Sequence, residues 1–179
     1  IVKNSYDGAG RIIKVQTAYG VTGVQADEVT TAYTNNGQVD YVIDAENNRT
    51  EYSYDGHDRL VKTEYPSAIK GANAANAADY EQLGYDAASN VTSRRLRDGT
   101  SIGYGYDNLN RLVSKDLPGS EPDASYSYDL MGRATGATQD AQTLAFVYDA
   151  LGRKVGESIG YLGATAYGYD AAGRRTSIT

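Results

Sequence analysis

The feature that most constrains the fold of this sequence is a short motif, Tyr-Asp-x-x-Gly-Arg, that returns at nearly constant spacing. Complete copies begin at Tyr6, Tyr128, Tyr148 and Tyr169, and looser copies begin at Tyr33, Tyr54, Tyr85 and Tyr106. Most copies start 20 to 22 residues after the previous one, and two start after 27 and 31 residues. A fixed period indicates that one supersecondary unit is repeated along the chain.

Both ends of the motif have the chemistry of a tight turn. An opening Asp accepts hydrogen bonds from the backbone two residues on, and a closing Gly supplies the positive φ of a hairpin loop. The opening residues are Asp7, Thr34, Asp44, Asp55, Asp86, Asp107, Asp129, Asp149 and Asp170. The closing residues are Gly10, Gly37, Asn47, Asp58, Ser89, Asn110, Gly132, Gly152 and Gly173. Of the closing residues, all but Ser89 are types that tolerate a positive φ, so we predict a hairpin turn at every motif.

The segments between motifs have strand patterns. Aromatic pairs with a period of two, such as Tyr126 and Tyr128, precede the motifs, and short apolar runs such as Ile12–Val15 follow them. A second, less uniform turn follows each motif after about ten residues. Candidates for this second series are residues 44–47, 97–100, 117–120, 139–142 and 160–163. Each period therefore predicts strand, turn, strand, turn, with all the Tyr-Asp turns on one edge of the sheet.

Counting these segments gives roughly sixteen strands in one antiparallel meander. A twisted open sheet rarely exceeds about ten strands without curling or splitting. We therefore predict an all-β fold in which antiparallel β-hairpin repeats of about 21 residues form one long curved sheet, part of a spiral shell or barrel.

We interpret residues 1–179 as a single repeat array and as a fragment of a longer repeat protein, because the chain begins inside a repeat. The two long periods predict loop insertions near residues 20–28 and 68–78. The second insertion is rich in alanine, whose small apolar group favours a surface loop over a helical turn. A chain of 179 residues is long enough to bury a sizeable core.

Composition excludes several classes of protein. A net charge of −6 argues against binding to nucleic acid or to an anionic membrane, and no apolar run approaches the length of a membrane span. There is no Cys, which excludes a disulfide framework and thiolate chemistry. The aromatic content of 17 Tyr, one Phe and no Trp suits half-buried strands.

The repeated motifs resemble those of the YD-repeat or RHS-repeat family, with the segment from Asp44 to Leu60 especially similar. The resemblance extends from Tyr6 to Arg175. It implies a long β-strip that spirals into a hollow shell, as in bacterial polymorphic toxins, insecticidal toxin complexes and teneurins. In the bacterial members the shell encloses a toxic C-terminal region, which implies a secreted or cell-surface bacterial protein. The self-cleaving end of such shells carries an Asp-Pro motif, and no proline here follows an aspartate.

Each candidate site has a structural explanation that we prefer. The aspartates could bind metal, but calcium needs about six to eight oxygens around one point, and equivalent turns lie roughly 10 Å apart. The Tyr pairs could form a sugar platform, although their recurrence in nearly every period favours packing along the sheet. His57, the only histidine, lies inside a turn, and the arginines after the turns could pair with motif or neighbouring carboxylates. We predict no catalytic, cofactor or metal site, and no enzyme activity.

The motif residues are therefore expected to be structural. They are Tyr6, Asp7, Gly10, Tyr54, Asp55, Tyr85, Asp86, Tyr106, Asp107, Tyr128, Asp129, Gly132, Tyr148, Asp149, Gly152, Tyr169, Asp170 and Gly173. The favoured function is a shell segment, whose partners are the remaining repeats of the parent chain and an enclosed cargo domain. The alternatives are an extracellular adhesion or carbohydrate-binding module, with glycans as partners, and a fibre-forming surface protein that contacts neighbouring copies.

Overall fold

The computed structural model describes all 179 residues and consists almost entirely of β-strands. The strands are β1 (Lys3–Tyr6), β2 (Ile12–Thr17), β3 (Ala26–Tyr33), β4 (Val39–Asp44), β5 (Arg49–Tyr54), β6 (Leu60–Pro66), β7 (Ala75–Tyr85), β8 (Val91–Arg95), β9 (Ser101–Tyr106), β10 (Leu112–Asp116), β11 (Ala124–Tyr128), β12 (Ala134–Gln139), β13 (Gln142–Tyr148), β14 (Lys154–Ile159), β15 (Ala164–Tyr169) and β16 (Arg175–Ile178). The one helical segment is a 3-10 turn at Gly160–Leu162. No helix in the chain has the length and hydrophobicity that a membrane crossing requires.

The strand order in the sheet is the order along the chain, from β1 to β16. Neighbouring strands are antiparallel, so the predicted all-β meander of sixteen strands is confirmed. The chain divides into two compact units. The first unit contains residues 1–84 and 94–100, and the second contains residues 85–93 and 101–179.

In the second unit, the register of the strands separates large from small side chains. One row across β11 to β14 joins Tyr126, Ala137, Leu144 and Ile159, and the next row, on the opposite face, joins Ser127, Gly136, Ala145 and Ser158. Successive residues of a strand point to opposite faces. In these two rows, one face therefore carries the larger aromatic and aliphatic side chains, and the opposite face carries small ones.

A β-bulge follows almost every Tyr-Asp turn. Next to the β11–β12 turn, Tyr128 pairs with Ala134 while Ser127 pairs with Gly136, so the returning strand contains one extra residue, Thr135. The same shift occurs in the hairpins β1–β2, β3–β4, β5–β6, β9–β10, β13–β14 and β15–β16. A bulge bends the strand and increases its local right-handed twist. The bulge is therefore a regular part of the repeat.

The expectation of a sizeable core is wrong. Ala124, at 7% exposure, is the only buried apolar residue, and no large side chain is fully buried. The physical reason is that the strands belong to one sheet, in which side chains pack against neighbours on the adjacent strands and stay partly exposed.

The two predicted insertions need corrected boundaries. The connections run over residues 18–25 and 67–74, because β3 begins at Ala26 and β7 begins at Ala75. Residues 75–78, predicted as loop, lie in β7, whose register with β6 shifts by several residues between the pairs Pro66–Ala75 and Glu64–Tyr80. Because β7 pairs with β6 on both sides of this shift, the strand continues through the alanine-rich residues.

The connection 67–74 folds onto the turn that follows β4. The Asn47 side-chain amide donates to the carbonyl of Gly71 (2.7 Å), and the Gly71 NH donates to Asn48 Oδ1 (3.1 Å). The Asn73 NH also donates to the carbonyl of Asn47 (3.0 Å). The extra length of this period is therefore fixed by hydrogen bonds to an adjacent turn.

Candidate functional site

The recurring Tyr-Asp turns are the most regular constellation of polar side chains in the molecule. In the β11–β12 turn, the Asp129 NH donates to the carbonyl of Arg133 and the Gly132 NH donates to the carbonyl of Asp129, both at 3.0 Å. Asp129 Oδ1 accepts the backbone NH groups of Met131 and Arg133, each at 2.9 Å. Arg133 Nε donates to Asp129 Oδ2 at 2.6 Å. One carboxylate therefore holds both the loop and the side chain that directly precedes the returning strand.

Six turns share this arrangement of aspartate and arginine. They are Asp7–Arg11, Asp55–Arg59, Asp107–Arg111, Asp129–Arg133, Asp149–Arg153 and Asp170–Arg174, with Oδ2 to guanidinium distances of 2.6 to 2.7 Å. In two other turns an asparagine amide replaces the guanidinium. Asn48 Nδ2 donates to Asp44 Oδ2 at 3.0 Å, and Asn90 Nδ2 donates to Asp86 Oδ2 at 2.9 Å. At Thr34 only a hydroxyl is present, and it accepts the Gln38 NH at 3.2 Å.

The residues that close these turns have the left-handed backbone that the sequence predicts. Positive φ values are found at Gly10 (79°), Gly37 (88°), Asn47 (63°), Asp58 (58°), Ser89 (69°), Asn110 (59°), Gly132 (82°), Gly152 (81°) and Gly173 (78°). Ser89 adopts this region although serine is not a favoured residue there. The geometry of the hairpin therefore dictates the conformation, and Gly, Asn and Asp satisfy it at lower cost.

Hydrogen bonds hold the motif carboxylates in their charged form. The Arg59 guanidinium lowers the pKa of Asp55 to about 2 against the opposing effect of desolvation, helped by the backbone NH groups of His57 and Arg59. Hydrogen bonds from the residue four positions on lower the pKa of Asp7, Asp44, Asp107 and Asp170 as well. Desolvation raises the pKa of Asp129 and Asp149, but the hydrogen bonds of their turns outweigh it, and the net pKa is lowered. These side chains therefore act as charged acceptors at neutral pH.

At four places in the chain, an arginine connects one repeat to the next. The Arg111 guanidinium lies 4.6 Å from the centre of the Tyr128 ring, and its Nη1 donates to the carbonyl of Asp129 at 3.1 Å. The same stacking joins Arg11 to Tyr33, Arg133 to Tyr148 and Arg153 to Tyr169, at 4.3 to 4.7 Å. Because each arginine is also paired with the aspartate of its own turn, it links two consecutive turns. We call this set of aspartates, arginines and tyrosines the turn ladder.

The tyrosine hydroxyls connect each of these motifs back to the preceding repeat. Tyr128 Oη donates to the carbonyl of Leu112 at 2.9 Å, and Leu112 directly follows Arg111. Equivalent bonds run from Tyr33 to Ile12, from Tyr54 to Val39 and from Tyr169 to Lys154, at 2.7 to 2.9 Å. From the sequence, the tyrosines are predicted to pack along the sheet, with no hydrogen bond assigned to their hydroxyls. The excess of 17 Tyr over one Phe is the signal that the hydroxyl has its own role.

The remaining predicted residues lie in the turns where the sequence places them. The tyrosines Tyr6, Tyr85 and Tyr106 end β1, β7 and β9, each directly before its aspartate. The NH of His57 donates to Asp55 Oδ1 at 2.9 Å, as expected for a residue inside the turn. Within residues 1–179, no group of three or more His, Cys, Asp or Glu residues has an arrangement that could hold a metal ion.

Comparison with known proteins gives one family and several structural neighbours. The sequence model of the Teneurin YD-shell family matches residues 1–179. Double-stranded DNA deaminase toxin A of Burkholderia cenocepacia is 30% identical in an alignment that covers 69% of this chain and 11% of the relative.

Two solved structures have the same fold at low sequence identity. A crystal structure of TcdB2-TccC3-Cdc42 matches with a TM-score of 0.53 and 12% identity, over 99% of this chain and 12% of that chain. The Photorhabdus luminescens Tc holotoxin pore matches with a TM-score of 0.50 and 13% identity, over 99% of this chain and 12% of that chain. This chain therefore spans about a tenth of the length of each of these proteins.

Proposed function

Because this chain belongs to the Teneurin YD-shell family, we propose that it forms a segment of the wall of a hollow β-shell that encloses or displays other parts of its parent protein. The observation that carries the proposal is the turn ladder. Its contacts run from one repeat to the next, as between Arg111 and the following turn at Tyr128 and Asp129. A strip whose repeats are connected in this way can be extended by further repeats with the same contacts.

We propose that the role is structural and not catalytic. The recurrent residues are used by the fold: Asp129 accepts hydrogen bonds from its own turn, Arg133 stacks on Tyr148, and Gly132 provides the positive φ. A general acid or base needs a carboxyl group that can exchange a proton at working pH. The lowered pKa of the motif aspartates, such as Asp55 at about 2, favours a permanent ion pair instead.

For the parent protein, we propose a secreted bacterial toxin or toxin-complex component with a cargo region inside its shell. The relative named as a DNA deaminase toxin and the Tc holotoxin pore support this association with toxins. The enclosure itself requires a wall that is continuous, and the turn ladder supplies continuity between repeats along the edge of the sheet.

The test is limited proteolysis of the parent protein. One variant lacks residues 106–147, which removes two whole repeats and joins Gly105 to Tyr148, so that the phase of the motif is kept. If the shell encloses cargo, the C-terminal region resists protease in the intact parent and is cut rapidly in the shortened one. The isolated C-terminal region gives the rate of unprotected cleavage. Equal digestion of this region in both shells would contradict enclosure.

A further inference from the structure

An open groove of about 520 Å³ lies in the second unit, on the aromatic face near the edge opposite the Tyr-Asp turns. It is formed by β11, β12, β13 and the connection 117–123, and it falls in the size range of small-ligand sites. In the row Tyr126, Ala137, Leu144, the small alanine lies between two large side chains, which leaves space above β12.

The connection before β11 forms one side of the groove and is held in place by hydrogen bonds. The Leu117 NH donates to Asp123 Oδ1 at 2.8 Å, and the Gln139 side-chain amide donates to the carbonyl of Pro122 at 3.2 Å. These contacts hold Glu121 and Pro122 against the groove, and they leave Ala124 as the most buried apolar residue of the chain.

Tyr126, which lines the groove, differs from most tyrosines of the molecule. A guanidinium or ammonium group lies within 4.7 Å of the rings of Tyr19, Tyr33, Tyr41, Tyr65, Tyr80, Tyr128, Tyr148, Tyr167 and Tyr169. Tyr126 is stacked with no such cation, and its hydroxyl makes no hydrogen bond. An aromatic ring in this environment offers its face to an external cation.

The charge of the groove points to the same kind of ligand. Glu121 and Asp140 line it, and neither carboxylate takes part in an ion pair or a hydrogen bond. No Lys or Arg lines the groove. Lys115 lies opposite Ala124 on β10 and forms no ion pair with either carboxylate. The groove therefore has an aromatic ring and two anionic groups without the cation that accompanies them elsewhere in the sheet.

We propose that this groove binds an arginine side chain presented by a basic peptide segment of a partner. A planar guanidinium stacks on an aromatic ring and donates to carboxylates and amides at once, which a compact ammonium group does less well. The chain itself uses this pairing, for example Arg49 at 3.8 Å from the centre of the Tyr41 ring. The proposal is independent of what the shell encloses.

The test is an NMR titration of the intact chain with the capped peptide Gly-Ala-Arg-Ala-Gly. We expect the resonances of the Tyr126 ring and the Ala137 methyl group to shift with saturable binding. The same peptide with citrulline in place of arginine keeps the shape and removes the charge, and we expect it to bind about tenfold more weakly. Equal affinity for the two peptides would overturn the proposal.

Two variants locate the binding. The double variant Glu121→Gln/Asp140→Asn removes both carboxylates, and Tyr126→Leu keeps apolar volume without the aromatic face; each is expected to lower the affinity for the arginine peptide severalfold. The matched control Asp40→Asn/Asp116→Asn removes two exposed carboxylates elsewhere. An equal loss of affinity in this control would mean that the peptide is attracted only by the net charge of the chain. Full affinity in Tyr126→Leu would exclude stacking on the ring. Either result contradicts the proposal. Thermal unfolding verifies that each variant is folded.

Discussion

At the scale of the residue, the motif aspartate is selected because it accepts several hydrogen bonds at once. Asp149 Oδ1 takes the NH groups of Leu151 and Arg153, while its Oδ2 takes the Arg153 guanidinium at 2.7 Å. The threonine that replaces it once, Thr34, has one hydroxyl and accepts only the Gln38 NH. The carboxylate is thus suited to hold both the turn and an arginine.

The first prediction is a loss of stability in acid. Because the pKa of Asp55 is lower in the folded chain than its ordinary 3.8, its charge stabilises the fold above that pH, and this stabilisation is lost as the pH falls towards about 2. The urea midpoint should therefore drop across this range, and Asp55→Asn should make the drop smaller. Asp40→Asn, at an exposed position without a side-chain hydrogen bond, is the control. A midpoint that is constant over this range would contradict the role of the turn carboxylates.

The second prediction separates the tyrosine hydroxyl from its ring. Tyr128→Phe removes the hydrogen bond to the Leu112 carbonyl but keeps the stacking with Arg111, so the free energy of unfolding should fall by about 1 kcal/mol. Tyr126→Phe, two residues earlier on the same strand, removes a hydroxyl without a partner and should cost less. Urea titration of both variants measures the difference. Identical losses would show that the hydroxyl bond contributes nothing.

At the scale of the element, the hairpin turn was predictable and the bulge beside it was not. Aspartate and glycine have specific conformational preferences, so their spacing predicts the turn. The extra residue of the bulge is β-branched in six of the seven bulged hairpins, as at Ile13 and Thr135, and is Asp40 in the seventh. β-branched residues also occupy regularly paired positions of the same strands, such as Val15, so the residue type does not mark the bulge. The bulge arises from how the two strands pair, and a single-sequence pattern does not contain that information.

The boundaries of the connections also could not be predicted from the sequence pattern. Residues 75–78 are predicted as part of a loop because the long period places an alanine-rich insertion there, yet they belong to β7. Of these residues only Ala75 is paired with β6, opposite Pro66, and the regular pairing resumes at Tyr80. Such a register shift depends on the partner strand, and a single-sequence pattern does not contain it. The turn ladder was predicted in part: the arginine pairing with motif carboxylates was anticipated, whereas the hydroxyl bonds of tyrosine were not.

The third prediction concerns the turn as an element. Gly152 has φ of 81°, and a Cβ there would lie 3.4 Å from Arg133 Nη1. Gly152→Val should cost more than about 1–2 kcal/mol, because a β-branched residue is strained in this region. Gly152→Asn should cost much less, since Asn110 already occupies the equivalent position with φ of 59°.

Gly173 provides the control for this turn, because its φ is 78° and a Cβ there would have no neighbour within 4 Å. Gly173→Asn therefore measures the backbone effect without the contact to arginine. Urea titration compares the variants. If valine and asparagine destabilise position 152 equally, the left-handed turn does not determine the choice of residue.

At the scale of the whole molecule, the strand order followed from the period alone. A turn at every motif and another between motifs forces an up-and-down meander, which is the order from β1 to β16. The absence of a core did not follow from chain length, because length limits how much can be buried but does not give the number of layers. The curvature that we expect for sixteen strands stays a prediction.

The fourth prediction tests the repeat as the unit of stability. Deleting residues 128–147 removes one repeat and brings Tyr148 next to Ser127, so that Arg111 can stack on Tyr148 and the ladder is restored. We expect this variant to remain folded with cooperative urea unfolding. Deleting residues 128–137 removes one turn and most of β12, which puts the following motif out of phase, and we expect loss of the circular dichroism signal of the sheet. Equal behaviour of the two variants would exclude a modular ladder.

The strand order also determines when each strand can find its partner during synthesis on the ribosome. Each strand pairs with the strands synthesised immediately before and after it, so no strand depends on a partner that is distant in the sequence. Translation adds about 5–20 residues per second, whereas a β-hairpin forms in roughly 1–10 μs. We expect the sheet to lengthen in step with synthesis, with only its newest strand lacking a partner, and protease protection of ribosome-stalled chains of increasing length would show this stepwise growth. During translation, one edge of this sheet is then fixed at β1, and the other moves to each newly made strand.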